Sequence, residues 1–215
     1  MIFSFYVLVM LCAIQRLWEI RISRLHQAGL LKEGYRRREK HARLLCMVAL
    51  HLSWFPCMVA EQLLWKRELP YGVALTALAF FLLAQSLRLW VQHALGRHWN
   101  ISIMNPVDGG PGSVVISGPY RFIRHPNYLA VVIEIASLPL IGGAVFTALI
   151  FSVLNALVLK RRIIEEESAL FERAQYRELM GGKGRFIPRF GSNYARRQSG
   201  NKGKRLAHYS AEVEG

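Results

Sequence analysis

The chain has 215 residues, of which 53% are hydrophobic and 20% are charged, and its formal net charge is +14. The apolar residues occur in long uninterrupted runs rather than in helical stripes, which argues against a soluble domain and predicts a single-domain, multi-pass membrane protein. The basic residues lie in loops and in the tail beside these runs, as the positive-inside rule describes. This placement argues against a nucleic-acid-binding protein.

Three apolar segments occupy the first half of the chain. They cover about residues 2–20, 44–64 and 71–91, and each is close to the ~20 residues that cross a bilayer core. Arg16 and Glu19 fall on one face near the end of the first segment. They are interpreted either as an interfacial ion pair or as a polar face turned into the helix bundle.

A fourth apolar segment, residues 128–159, is too long for one crossing and tight for two. Pro139 and the Gly142-Gly143 pair interrupt it, so we expect a hairpin of two short helices over residues 127–141 and 144–159. The second helix is expected to continue through a charged stretch toward Met180. The predicted fold is therefore an all-α integral membrane protein of about five transmembrane helices, the last two forming a short hairpin.

The distribution of basic residues also predicts orientation. The stretches 21–43, 97–124 and 160–162 and the tail are basic, whereas the opposite loops hold little beyond Lys66 and Arg67. The basic side should be cytoplasmic, with the N-terminus outside and the C-terminus in the cytoplasm. Residues 1–190 are predicted to form the membrane domain, and the basic Gly/Ser/Asn-rich residues 191–215 a disordered cytoplasmic tail that attracts anionic lipids.

The stretch Ser117–Tyr128 (SGPYRFIRHPNY) packs polar residues and two prolines between apolar flanks. The prolines restrict the backbone, so no regular helix runs through it. A membrane protein tolerates such backbone only outside the hydrocarbon, buried in protein or lining a wet cavity. We therefore expect a shaped polar loop at the cytoplasmic surface, beside the run Glu165–Glu167 that follows the hairpin.

The loop motif and the later run Arg162-x-x-Glu-Glu-Glu-Ser-x-Leu170, in this order and separated by a helical hairpin, resemble the isoprenylcysteine carboxyl methyltransferase family over about residues 95–190. The resemblance extends weakly to Gln85-x-x-Arg88 and to Arg16-x-x-Glu19. It implies that S-adenosyl-L-methionine binds in a cytoplasm-facing cavity between the loop and the terminal helix, with a further contact near Met104 or Asn105.

Specific roles follow from the same resemblance. It implies that Arg162 faces the methyl acceptor. It implies cofactor contacts from ten positions, which are Gly112, Ser113, Val114, Val115, Tyr120, His125, Pro126, Asn127, Tyr128 and Glu166. The chemistry agrees, because a zwitterionic sulfonium cofactor needs a carboxylate, hydrogen-bonding groups and aromatic faces. Arg162 can hold a carboxylate or oxyanion with two parallel hydrogen bonds.

Glu134 lies deep in apolar sequence, where a carboxylate is costly and usually functional. It is a second candidate catalytic residue, as a base or an orienting group for the acceptor. His125 is another candidate base. The seven histidines are dispersed without ligand spacing, so no metal site is predicted.

The sequence thus predicts an S-adenosylmethionine-dependent O-methyltransferase. Its acceptor is a carboxylate, phenol or enol on a lipid-like molecule, such as an isoprenylcysteine or an alkyl-phenolic lipid, whose tail enters from the bilayer. Alternatives are a phospholipid N-methyltransferase and an NADPH-dependent sterol-type reductase, whose families carry related loops. A scaffold that binds anionic lipid would explain the charge but not the paired motifs.

Overall fold

The computed structural model describes residues 2–39, 41–106 and 114–189. This part of the chain is mostly helical. Its helices are α1 (Ile2–Lys32), α2 (His41–Trp65), α3 (Tyr71–Leu95), α4 (Pro126–Ile141), α5 (Val145–Phe171) and α6 (Ala174–Met180). Gly112, Ser113 and the predicted tail over residues 191–215 lie outside the described residues.

Two of these helices are long and apolar enough to cross a membrane by length and composition. They are α2, and α3 together with the 3-10 turn Gly96–His98 that follows it. Both agree with the apolar segments expected there, and α4 is a shorter apolar helix. The first helix is longer than the expected 2–20 segment: it continues to Lys32 because residues 21–32 contain no proline and many residues of good helix propensity.

One feature departs from the all-α expectation. The connection between α1 and α2 forms a short strand, β1 (Tyr35–Arg37), which pairs antiparallel with β2 (Met104–Pro106). Tyr35 lies opposite Pro106 in this pairing. The contact joins two segments far apart in sequence, and neither is long enough to give a strand pattern by itself.

The hairpin of α4 and α5 is anchored at its turn by α2. The carboxylate of Glu61 accepts hydrogen bonds from the backbone N–H groups of Phe146 (2.9 Å) and Thr147 (2.6 Å) and from the Thr147 hydroxyl (2.7 Å). Backbone N–H groups in the first turn of a helix have no partner within the helix, and Glu61 supplies one at the N-terminus of α5. The helix dipole also favours a negative charge there. Gly143 has φ +79°, and a Cβ there would meet the carbonyl oxygen of Arg67. The α2–α3 connection and the hairpin turn therefore share one end of the bundle.

The opposite end gathers the ends of α1, α3 and α5 and the start of α4. Arg97 pairs with Glu33 at 2.7 Å, and Arg38 pairs with Glu172 at 2.7 Å. The Ser117–Tyr128 loop contains the 3-10 turn Gly118–Arg121. Gly118 has φ +57°, and a Cβ there would lie 2.8 Å from Cβ of Ala94 on α3. Only glycine fits this close approach.

The segment after α6 holds the loop from its other side. The backbone N–H of Arg124 donates to the carbonyl of Gly184 (2.9 Å), and that of His125 donates to Arg185 (3.0 Å). The Ser117–Tyr128 loop is thus fixed between α3 and the segment that follows α6. A buried apolar cluster from α1 to α5, which includes Phe5, Trp54, Met58, Ile135 and Leu138, packs between the two ends of the bundle.

Candidate active site

A cavity of about 280 Å³ lies at the loop end of the bundle. Residues from α1 to α6, the β2 segment and the 114–128 loop contribute to its walls. Its size is close to the lower limit of small-molecule sites, roughly 300–1,000 Å³, and its mostly apolar walls with a few convergent polar groups are typical of such sites.

Tyr128, Arg162 and Glu166 form one hydrogen-bonded chain in the cavity wall. The hydroxyl of Tyr128 donates to Glu166, and Nε of Arg162 donates to the same hydroxyl oxygen at 2.8 Å. Arg162 and Glu166 are four residues apart on α5, so they share one face of that helix. The ring of His125 stacks on that of Tyr128, with centroids 5.3 Å apart.

Arg162 is held by three different elements. Besides Tyr128, it donates through Nη1 to Glu39 (2.7 Å) and through Nη2 to the carbonyl of Ile101. These bonds use three of the five N–H groups of a guanidinium and leave one on each terminal nitrogen. Glu39 is buried but carries no sequence signal, because it stands within the basic run 36–40 and looks like a solvated residue.

Glu167 is buried, although a run of three glutamates would by itself suggest a solvated face. It contacts Nε2 of His125 (3.1 Å), Arg124 (3.2 Å) and Arg185 (2.5 Å). The middle and last glutamates of the run therefore face different partners, and Glu167 holds His125 and the loop in position.

Among the described residues, the structure brings most of the predicted site residues together in the cavity wall. Pro126 is buried in the first turn of α4 and does not line the cavity, and Glu134 does not line it either. The predicted residues that do line the cavity are Val114, Val115, Tyr120, His125, Asn127, Tyr128, Arg162 and Glu166. Asn105, near which a further contact was expected, also lines it.

Several buried polar atoms of lining residues have no hydrogen-bond partner among the described residues. They include Oδ1 of Asn105 and Oδ1 of Asn127 beside the loop. Buried polar atoms are normally paired with protein groups, water or a ligand. Two amide oxygens and the Glu166 carboxylate suit a ligand with amino groups and positive charge. The tyrosines offer aromatic faces, so these residues fit S-adenosylmethionine.

Tyr120 is tied to the segment after α6. Its backbone carbonyl accepts a hydrogen bond from Nζ of Lys183 at 2.6 Å. Burial and the nearby charge of Arg121 lower the pKa of Lys183 to about 8. Burial and the charge of Glu166 raise the pKa of the Tyr120 hydroxyl above its usual range, so this ring stays neutral in the cavity wall.

Glu134 belongs to a buried ion-pair network rather than to the cavity surface. It is 2% exposed and accepts hydrogen bonds from Arg16 on α1 and Arg88 on α3. Gln85 (3.1 Å) and the thiol of Cys12 (3.0 Å) also donate to it. With its oxygens engaged by these donors, Glu134 is better suited to organise the bundle than to accept a proton from a substrate.

The same network explains the polar face of α1. Arg16 pairs with Glu19, which also contacts Arg88 (3.5 Å) and accepts from Gln92 (2.7 Å). Arg16 and Glu19 are buried, so the polar face is turned into the bundle, as the second interpretation of the sequence proposed. Arg16, Glu19 and Arg88 also line the deep side of the cavity.

These observations define a mostly helical protein with two candidate membrane spans and, at one end of its bundle, a mostly apolar cavity with a few convergent polar groups. Comparison with known proteins identifies the family. Residues 77–172 match the model of the isoprenylcysteine carboxyl methyltransferase (ICMT) family. The chain is 33% identical over 170 residues to the uncharacterized protein YpbQ of Bacillus subtilis (strain 168), covering 78% of this chain and 97% of that protein.

An uncharacterized protein of Haemophilus influenzae (strain ATCC 51907 / DSM 11121 / KW20 / Rd) is 27% identical over 157 residues, which cover 72% of this chain and 88% of that protein. The chain belongs to the isoprenylcysteine carboxyl methyltransferase family. Members of this family are integral membrane proteins, and family membership suggests an S-adenosylmethionine-dependent carboxyl methyltransferase.

Proposed function

We propose that this protein is an S-adenosylmethionine-dependent O-methyltransferase that acts on a lipid-like acceptor. The observation that carries the proposal is the Tyr128–Glu166–Arg162 chain in the cavity wall, because it combines an anionic and a cationic group within one helical turn. Such a pair suits a cationic cofactor beside an acceptor oxygen that is, or becomes, negatively charged.

The cofactor side of the cavity is the part next to the loop. S-adenosylmethionine supplies a methyl group on a sulfonium, which any oxygen nucleophile in line with it can accept. In this proposal the cofactor is bound and shielded by Glu166, by Asn105 and Asn127, and by the rings of Tyr120 and Tyr128, all of which line the cavity. The chain contributes mainly alignment and exclusion of water.

The acceptor side lies between Arg162 and the wall formed by α2. Arg162 keeps one N–H on each terminal nitrogen for a carboxylate or oxyanion. Leu52 lines the cavity, is 42% exposed and lies within the apolar candidate span α2. A cavity-lining residue that is also exposed on an apolar helix surface suits an acceptor whose tail enters from the bilayer.

We also propose that helices α1 to α5 cross or enter the membrane, with the N-terminus outside and the cavity facing the cytoplasm. This orientation is supported by the basic stretches 21–43, 97–124 and 160–162 and by the short 66–70 connection at the other end of the bundle. A cysteine introduced at Lys66 should react with an impermeant maleimide from outside intact cells. Labelling only after permeabilisation would reverse the proposed orientation.

Titration of the purified protein with S-adenosylhomocysteine and, separately, with NADPH tests the proposed function. We expect heat of binding with the first ligand only, and loss of that binding in Glu166→Gln. Binding of NADPH without S-adenosylhomocysteine would replace the proposal with a reductase. Binding of neither, together with retention on anionic vesicles, would favour a lipid-binding scaffold.

A further inference from the structure

A histidine that belongs to none of the sequence motifs lies in the cavity wall. His51 is in the middle of α2, and with Met47, Val48 and Leu52 it forms the side of the cavity that this helix contributes. The neighbours on this face are apolar, so the imidazole is the polar group that α2 presents to the cavity among the described residues. A polar side chain at membrane depth needs a structural or functional reason.

The hydrogen bond of His51 determines which nitrogen can accept a proton. Nδ1 lies 2.8 Å from the backbone carbonyl oxygen of Met47. A carbonyl can only accept, so Nδ1 carries the hydrogen and Nε2 carries the lone pair. Nε2 has no hydrogen-bond partner among the described residues. Since Nδ1 turns back to the helix, Nε2 lies on the side of the ring away from it.

The charged groups around His51 are already paired with each other. Arg16 and Glu19 of α1 and Arg88 of α3 line the same cavity, and Glu134 of α4 connects the two arginines behind them. Two guanidiniums and two carboxylates balance in charge. The imidazole of His51 lies beside this charge-balanced set, and imidazole is the side chain that most often acts as a general acid or base.

We propose that His51 is the proton acceptor of this site and that the acceptor lipid is a hydroxyl compound, a phenol or an enol. This inference rests on the proposed function and narrows its acceptor class. In the transfer, the acceptor oxygen forms a bond to the methyl carbon while the carbon–sulfur bond breaks and its electrons remain on sulfur. The O–H bond of the acceptor breaks, its proton passes to Nε2, and the imidazolium later releases it to solvent.

The structure favours a hydroxyl over a carboxylate as acceptor. A carboxylate is already ionised near neutral pH and needs no base, so a neutral imidazole in the wall would have no part in its methylation. A phenol is protonated at that pH because its pKa is near 10, and a base within reach of its proton accelerates the reaction by about 10²–10⁴-fold. Arg162 then stabilises the oxyanion that develops on the other side.

His51→Asn separates these roles. The asparagine amide can still donate to the carbonyl of Met47, but it cannot accept a proton. His93→Asn is the matched control, because His93 is exposed on α3 and does not line the cavity. The probes are 4-dodecylphenol and N-acetyl-S-farnesylcysteine as methyl acceptors, and 4-dodecyl-2-nitrophenol, whose colour reports ionisation without turnover.

We expect His51→Asn to bind S-adenosylhomocysteine like the wild type and to methylate 4-dodecylphenol about 10²–10⁴-fold more slowly. Methylation of N-acetyl-S-farnesylcysteine, if the wild type performs it, should be unchanged in the variant. The bound nitrophenol should ionise at a pH about one unit or more lower in the wild type than in His51→Asn, because an imidazolium stabilises the neighbouring phenolate. His93→Asn should match the wild type throughout.

The inference is overturned if His51→Asn methylates the phenol at the wild-type rate or ionises the bound nitrophenol at the wild-type pH. It is also overturned if the wild type methylates only the carboxylate probe, an outcome that leaves the proposed function standing. Failure of the wild type to bind S-adenosylhomocysteine would instead refute the proposed function itself.

Discussion

Replacing Glu134 with Gln should destabilise the protein far more than the loss of one charge at the surface. Glu134 accepts from Arg16 and Cys12 at one oxygen and from Arg88 at the other. The NH₂ group of a glutamine would face one of these donating side chains, so two hydrogen-bond donors would oppose each other. The two buried arginines would then share the carboxylate of Glu19. Removing one partner from a buried charged pair costs about 3–5 kcal/mol.

Glu172→Gln provides the comparison. Glu172 pairs with Arg38 at 2.7 Å, but the side chains are 55% and 51% exposed, and an exposed pair contributes about 0–1 kcal/mol. The two variants remove the same charge from the same protein, so the difference in their free energies of unfolding isolates the effect of burial. We expect a difference of about 2–5 kcal/mol.

The assay is unfolding of detergent-solubilised protein with increasing sodium dodecyl sulfate in mixed micelles, followed by tryptophan fluorescence. A double variant, Arg88→Met with Glu134→Leu, should lose less stability than the sum of its single variants, because it removes both charges together. A cost for Glu134→Gln equal to that of Glu172→Gln would refute the reasoning. The network would then be hydrated, and the Glu134 carboxylate could again be considered as a base.

Three further predictions concern the loop end of the bundle. Glu166→Gln keeps an oxygen for the Tyr128 hydroxyl but loses the charge, so S-adenosylhomocysteine affinity measured by calorimetry should fall roughly tenfold to a hundredfold; unchanged affinity would remove Glu166 from the cofactor site. Arg162→Lys should bind S-adenosylhomocysteine normally but transfer methyl groups slowly, because lysine lacks the planar fork; full activity would assign Arg162 to anchoring at the membrane surface. The folded-state pKa of Lys183, about 8, is below its unfolded value. The folded state therefore binds fewer protons, and the free energy of unfolding should rise between about pH 8 and 10.4. A Lys183→Met variant that keeps this rise would exclude Lys183 as its source.

The sequence by itself was sufficient for the features that depend on local pattern. The apolar runs predicted the two candidate spans and the hairpin broken at Gly142-Gly143, because hydrophobic length and glycine or proline punctuation are local signals. The paired motifs around His125 and Glu166 indicated the family, and the family match over residues 77–172 confirms it. These motifs are readable because they hold unusual residue types at short, fixed spacing.

Only the tertiary structure decided how distant residues are paired. Glu39 looked like one acid in a basic loop, yet its carboxylate binds Arg162 more than a hundred residues away. Glu134 was a candidate base until Arg16 and Arg88 were found on either side of it. His51 had no signal, since a single histidine in an apolar helix is uninformative until its neighbours are known. A buried charge is defined by its partners, and those partners are set by helix packing rather than by proximity in sequence.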